Sequence, residues 1–283
     1  MRSGERDMHT LSLPTGATIA FDDSGGGNSG DGGTAILFSH GYMMNRSMFA
    51  PQIDHFAGRW RCIAWDARAH GDTVWEGPFD YWDSARDMLA MMDALALDKV
   101  IHVGMSQGGL VGMRAALLAP ERFHGLVQLS TQAGEAPKSD DDTFPRQIAD
   151  WIANGPDPEK LAFLGGFILG PGVDHAPWHE AWSRVTKTQV RDATGALASI
   201  DPLFHRLRDV TMPVAVIHGL ADLATSHELG LLTAQGVPDP RVVTLVPGGP
   251  HAVNLSNPRR VNRAIEDFIL ELASEDPTIR QKT

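Results

Sequence analysis

Residues Gly104-Met105-Ser106-Gln107-Gly108 constrain the fold of this 283-residue chain more than any other stretch. They follow Lys99-Val100-Ile101-His102-Val103, a β-branched run that reads as a buried strand, and they precede Gly109 to Leu118, which reads as a helix. Strand, glycine-flanked serine and helix together form the local context of a nucleophile elbow. At such an elbow the serine takes a strained conformation, and side chains two residues to either side would collide. The serine also sits at a helix N-terminus, where unpaired backbone N–H groups favour negative charge. The competing reading is a plain strand-to-helix turn with an incidental serine. A base and an acid elsewhere in the chain decide between the two.

The same alternation runs through most of the chain. His9 to Leu13 and Ala17 to Phe21 form a hairpin across Pro14-Thr15-Gly16. Strands follow at Thr34 to Ser39, Arg61 to Trp65, Gly125 to Ser130, Pro213 to His218 and Arg241 to Val246. Apolar residues from Asp80 to Leu97 recur at helical spacing, and Asn257-Pro258 opens a last helix from Pro258 to about Ala273. Strands alternating with helices predict a mostly parallel sheet covered on both faces. The glycine-rich run Gly25 to Gly33 reads as a flexible loop, and it lacks the Lys-Ser/Thr pair of a phosphate loop.

Between about Gly134 and Arg208 the alternation stops. No strand pattern occurs there; helical patterns occur at Arg146 to Ala153, Glu159 to Phe167 and His179 to Val190. An insertion of this size predicts a helical lid over residues 134–208, between core parts 1–133 and 209–283. Phe144, Trp151, Leu161, Phe163, Leu164, Phe167, Trp178 and Trp182 supply its apolar side chains. At most half of these are expected to face a substrate, the rest forming the lid's own core. A largely apolar small molecule is the expected ligand.

Bulk properties remove other classes. The net charge of −11 disfavours a nucleic-acid or anionic-membrane surface, and no stretch has the apolar length of a membrane span. The polar N-terminus has no signal-like hydrophobic region, so a cytoplasmic location is expected. The single cysteine, Cys62, excludes an internal disulfide and lies in a strand-like run as an inert thiol. The oligomeric state stays open.

A serine hydroxyl needs a histidine base, and the histidine needs an acid to fix its tautomer. His251 follows the last strand in Pro247-Gly248-Gly249-Pro250-His251, at the sheet edge where the elbow opens. His102, within the elbow strand, and His218, at a strand end, read as structural. Asp222 follows the Val214 to His218 strand through Gly219-Leu220-Ala221, the kind of loop that gathers active-site groups in open α/β sheets. Glu135, after the preceding strand, is its competitor, and a helix-capping role for Asp222 is the alternative. Chain order is then nucleophile Ser106, acid Asp222 and base His251. Two N–H donors must hold the developing oxyanion. Gln107 supplies one, and the His40-Gly41-Tyr42 turn supplies the other through Tyr42, with His40 bracing the turn.

With these residues in place the chain resembles the α/β-hydrolase superfamily over nearly its whole length. The matching motifs are His40-Gly41, Asp66-Ala67-Arg68-Ala69-His70-Gly71, the Ser106 elbow, Gly219-Leu220-Ala221-Asp222 and His251. Ala116 to Phe123 and His251 to Pro258 are similar to the branch of 3-oxoadipate enol-lactonases, small esterases and cofactor-free haloperoxidases. The resemblance implies an eight-stranded, mostly parallel sheet with an inserted helical lid. It also implies a serine hydrolase acting on a carboxylic ester or lactone through an acyl-enzyme, with no metal or organic cofactor. Two positions depart from it. Ala69 stands where glycine is usual, which implies a turn with no glycine-only conformation, and Gln107 stands where methionine is commoner. Dehalogenases and epoxide hydrolases of this fold carry aspartate at the elbow, so Ser106 argues against both. C–C bond hydrolysis of a β-diketone shares the triad and stays open, as does perhydrolysis beside esterase activity. A non-enzymatic small-molecule receptor on the same fold is the alternative from another class.

Overall fold

A computed structural model describes residues 8–25, 33–133 and 142–282. Eight strands form one sheet: β1 (Met8–Ser12), β2 (Thr18–Asp23), β3 (Ala35–Ser39), β4 (Arg61–Trp65), β5 (Val100–Met105), β6 (Phe123–Leu129), β7 (Val214–Gly219) and β8 (Pro240–Val246). Their order across the sheet is β1-β2-β4-β3-β5-β6-β7-β8. The β1–β2 hairpin is antiparallel and joins β4 antiparallel; every other pairing is parallel. From β3 the chain runs one way to β4 and then crosses to β5 on the other side. That reversal opens a crevice at the carboxyl ends of the strands.

The helices are α1 (Ala50–Phe56), α2 (Tyr81–Ala94), α3 (Gln107–Leu118), α4 (Thr143–Asn154), α5 (Pro158–Leu164), α6 (Ala176–Ser183), α7 (Lys187–Ala198), α8 (His227–Gly236), α9 (Val253–Ser256) and α10 (Pro258–Glu275). Two glycines show how the sheet is covered on both faces. Gly112 of α3 lies against the ring of His102, while Gly125 of β6 lies against Phe268 and Leu272 of α10. Gly125 pairs with Ile101, the neighbour of His102, and successive strand residues face opposite ways. Helices α3 and α10 therefore cover opposite faces. β3, β5 and β6 between them are buried at every position, as a two-sided parallel sheet requires. At the start of α2, Asp80 and Asp83 form a reciprocal capping box, a device worth about 1 kcal/mol.

Between β6 and β7 the described residues hold four helices, α4 to α7, and no strand. Two expectations are corrected here. The helix predicted over His179 to Val190 is two helices, because the Thr186 hydroxyl accepts from Gln189 N–H at 3.2 Å and starts α7 afresh. The helix predicted to run to Phe167 becomes a π-helical turn at Gly165–Leu169 after α5 ends. π turns concentrate at functional sites, and this one is tied to the loop carrying His251. Ala252 N–H donates to Ile168 O at 2.8 Å, and Gly170 packs on Pro250. Helices α1 and α8 are elements the sequence reading did not anticipate.

Candidate active site

Ser106 lies between β5 and α3 with φ 50° and ψ −116°, in the left-handed region that costs a side chain strain. A Cβ at Gly104 would come within 2.6 Å of the Gly108 backbone, and one at Gly108 would strike the carbonyl of Ser39. The two glycines let β5, α3 and the end of β3 approach closely enough to hold the serine in that conformation. Ser106 N–H donates to Leu129 O at 2.8 Å, and Thr131 Oγ1 donates to Ser106 O at 2.7 Å. The elbow predicted from the glycine spacing is present, and its strain is held by both neighbouring strands.

The loops after β7 and β8 bring Asp222 and His251 together. His251 Nδ1 donates to Asp222 Oδ2 at 2.8 Å. A carboxylate only accepts, so this bond fixes the Nδ1–H tautomer and leaves the Nε2 lone pair for the cavity that His251 lines. The other carboxylate oxygen accepts from Ala224 N–H at 2.8 Å and Thr225 N–H at 2.9 Å. Burial opposes the charge on Asp222. The facing His251, a hydrogen bond from His218 and the Thr225 N–H outweigh it and hold the carboxyl well below the usual carboxylate range. Glu135, the competing acid, lies outside the described residues.

His218 does more than its reading as a structural residue implied. Its Nε2 lies 3.1 Å from Asp222 Oδ2 and 2.9 Å from Thr225 O, both acceptors, so Nε2 carries the proton. Asp222 Oδ2 is thus held between two imidazoles. The signal in the sequence was the spacing His218-x-x-x-Asp222, in which a short loop folds the carboxylate back onto the strand end.

The His40-Gly41-Tyr42 turn lies beside the elbow, with Gly41 against Met105 and Ser106. His40 Nδ1 donates to Gly41 O at 2.8 Å, and its Nε2 accepts from Ala67 N–H at 3.0 Å. His70 repeats the pattern: Nδ1 donates to Arg68 O at 2.8 Å, and Nε2 accepts from Met43 N–H at 3.2 Å. Burial drives the pKa of His40 down to about 4 and that of His70 to about 3, keeping both rings neutral. His102 is buried, hydrogen-bonds Ser39 Oγ at 2.9 Å and is likewise lowered, to about 3.

The side chains of the two oxyanion candidates are bonded to other residues. Tyr42 OH pairs with Thr194 Oγ1 at 2.8 Å, and Gln107 Oε1 accepts from Tyr81 OH at 3.1 Å. Both residues line the same cavity as Ser106 and His251. That cavity encloses about 560 Å³. Its walls are mostly apolar, including Leu110, Phe144, Phe167, Leu197 and Ile200. Phe144 and Phe167 stack at 5.0 Å between ring centroids. Of the eight apolar residues expected in the insertion, these two line the cavity, short of the upper bound of half. Trp151, Leu164, Trp178 and Trp182 are buried in the core. Ser106 and His251 share the cavity without a hydrogen bond between them, and such contacts are often loose before a ligand binds. Among the described residues no three His, Cys, Asp or Glu side chains are placed so that they could hold a metal ion.

The turn after β4 corrects an expectation. Ala69 takes φ 63°, so the loop does use the left-handed conformation that glycine favours, and alanine bears it. Met43, Ser106 and Ser130 also have positive φ, and each follows the carboxyl end of a central strand. Backbone strain is concentrated along the edge where the site lies.

Comparison with known proteins agrees with this fold. The model of the alpha/beta hydrolase fold matches residues 34–258, and the chain belongs to that family. Among its relatives is "Putative carbamate hydrolase RutD" of Agrobacterium fabrum, 29% identical over 83% of this chain and 92% of that protein. Another is 3-oxoadipate enol-lactonase 2 of Acinetobacter baylyi, 27% identical over 82% of this chain and 87% of that protein. A hydrolase from Pseudomonas aeruginosa has the same fold with a TM-score of 0.81, at 24% identity, covering 95% of this chain and 99% of its own.

Proposed function

We propose that this protein is a serine hydrolase that cleaves a carboxylic ester or lactone of a largely apolar small molecule, with residues 134–208 as a lid over the core 1–133 and 209–283. The observation that carries the reading is the buried Asp222–His251 pair, in which His251 lines the same cavity as the strained Ser106. In the proposed cycle Ser106 Oγ attacks the substrate carbonyl as His251 Nε2 takes its proton. Asp222 stabilises the imidazolium, and the N–H groups of Gln107 and Tyr42 hold the oxyanion. Loss of one such donor costs on the order of 10²–10³ in rate. His251 then protonates the departing alcohol, leaving an acyl group on Ser106. A water molecule deprotonated by His251 releases the acid and restores the hydroxyl.

A carbamate carbonyl would enter the same cycle, so a panel of lactones, linear esters, carbamates, amides and β-diketones decides the bond class. The mechanism itself is tested by a fluorophosphonate probe. Covalent labelling at Ser106 is expected, and folded protein that stays unlabelled there overturns the reading.

A further inference from the structure

The turn that carries Tyr42 is gripped by two parts of the chain. Met44 N–H donates to Gly41 O at 3.1 Å, which closes a four-residue turn over Gly41-Tyr42-Met43-Met44. Its third residue, Met43, has φ 60°, at a position where glycine is the comfortable residue. A side chain of that size stays there only where its surroundings over-determine the backbone. They do so from both sides. Met43 N–H donates to His70 Nε2 at 3.2 Å, in the core, and Met43 O accepts from Trp182 Nε1 of α6 at 2.7 Å. Helix α7 holds the preceding residue. Thr194 Oγ1 gives its proton to Val190 O, so the Tyr42 hydroxyl donates to Thr194 Oγ1 at 2.8 Å. Tyr42, Met43 and Trp182 are buried, where removing one partner leaves the other unpaired. Met43 and Trp182 line a second cavity of about 320 Å³, whereas Tyr42 lines the cavity of Ser106. The hydrogen-bonded route from Trp182 to the Ser106 cavity runs through Met43 and Tyr42.

We propose that Trp182 and Thr194 are positioning residues for the oxyanion. Their hydrogen bonds hold the Met43 carbonyl and the Tyr42 ring, and so keep the Tyr42 N–H in one orientation. Helices α6 and α7 thereby take part in the reaction through the backbone of the turn. The proposal rests on the hydrolase reading above and deepens it. Losing either bond weakens the transition state and spares ground-state binding, because the oxyanion develops only in the former.

The test compares Trp182→Phe, Thr194→Val and Thr194→Ser with wild type on p-nitrophenyl octanoate. Each protein is also titrated with the trifluoromethyl ketone of the same heptyl chain, whose carbonyl takes the serine oxygen and becomes an oxyanion. The matching trifluoromethyl carbinol, which cannot form one, is the ground-state control. Trp182→Phe is expected to lower kcat about ten-fold with KM little changed, below the loss of roughly 10²–10³ for a donor removed outright. The inhibition constant of the ketone should rise by the same factor while that of the carbinol stays put. Thr194→Val is expected to do the same by about three-fold, and Thr194→Ser, which keeps the hydroxyl, to match wild type. If Trp182→Phe fails to fold, the two Thr194 variants decide the matter. A ketone-to-carbinol ratio unchanged in the folded variants, even with a lower Tm, makes these bonds structural only and overturns the proposal. Fluorophosphonate labelling run in parallel separates the two levels. An unlabelled Ser106 overturns the hydrolase reading and this proposal with it, while a labelled Ser106 with an unchanged ratio overturns this proposal alone.

Discussion

Two histidine clusters stand at the same edge of the sheet, and they differ in what meets the ring. In His40, His70 and His251 alike, Nδ1 donates and fixes the tautomer. Nε2 of His40 and of His70 is spent on a backbone N–H, from Ala67 and Met43. His251 lines the cavity instead, and its Nδ1 bond to Asp222 leaves the Nε2 lone pair unspent on the tautomer. The acceptor at Nδ1 differs as well, a neutral carbonyl for the first pair and the Asp222 carboxylate for His251. Burial holds the rings of His40 and His70 neutral although each donates to a carbonyl, while in the proposed cycle the Asp222 carboxylate stands ready to compensate a charge on His251. Burial with both nitrogens bonded to the backbone produces a brace; a paired carboxylate is what the proposed base at His251 has in addition.

The largest expected effect breaks the His251 side of this comparison. Asp222→Asn replaces the acceptor at Nδ1 with an amide that can donate, which favours the wrong tautomer and leaves the imidazolium uncompensated. Turnover is expected to fall on the order of 10³–10⁴-fold in kcat with thermal stability little changed. A loss of less than ten-fold would mean that another acid serves His251.

Next in size is the brace. His40→Leu removes the acceptor for Ala67 N–H inside a buried turn and is expected to cost about 2–3 kcal/mol. The pH dependence carries the same information. His40 and His70 have folded pKa values below the ordinary value of about 6.5, so the unfolded chain binds their protons first. Their contribution to stability is complete above pH ~6.5 and is lost as pH falls towards 4 and 3, each ring adding up to ~1.4 kcal/mol per pH unit. Denaturant titrations between pH 4 and 7 are expected to show this slope, with one proton's share missing in the variant. An unaltered slope would place the titration elsewhere.

His218→Gln is smaller. It weakens one of the two imidazole contacts to Asp222, and kcat is expected to fall about ten-fold with KM unchanged. The acid limb of the kcat–pH profile should shift upward as the Asp222 carboxyl becomes less acidic. A change in KM alone would make His218 part of the cavity's shape and not a support for the acid.

The comparison also explains what could be read from the chain. Gly104 and Gly108 announce the elbow because only glycine clears the Ser39 and Gly108 backbones, a local steric demand that spacing records. His251 and Asp222 were legible because each follows its own strand by a short loop, so the sheet delivers them to one edge. The helices between β6 and β7 were less legible. The split at Thr186 depends on a hydroxyl choosing a cap over continued helix. Phe144 and Trp151 lie on one helix, and one lines the cavity while the other is buried in the core, which periodicity alone cannot assign. His218 was hidden for a related reason, since its partner is set by how the Gly219-Leu220-Ala221 loop folds back.

Ala69 supplies the smallest and sharpest of these tests. It lies in the turn that carries His70, and it holds φ 63° with a buried methyl group. For an L-residue the left-handed region costs roughly 1–2 kcal/mol, while glycine in the unfolded chain gives back about 0.4–1 kcal/mol of that through its extra freedom. Ala69→Gly is therefore expected to stabilise the protein by up to ~1 kcal/mol, seen as a rise in Tm of a few degrees at most. Because the change relaxes the brace without touching Asp222 or His251, kcat should move far less than in Asp222→Asn. If Ala69→Gly lowers Tm, the buried methyl contributes more than its backbone costs, and the strain at this edge is localised at Met43, Ser106 and Ser130 without it.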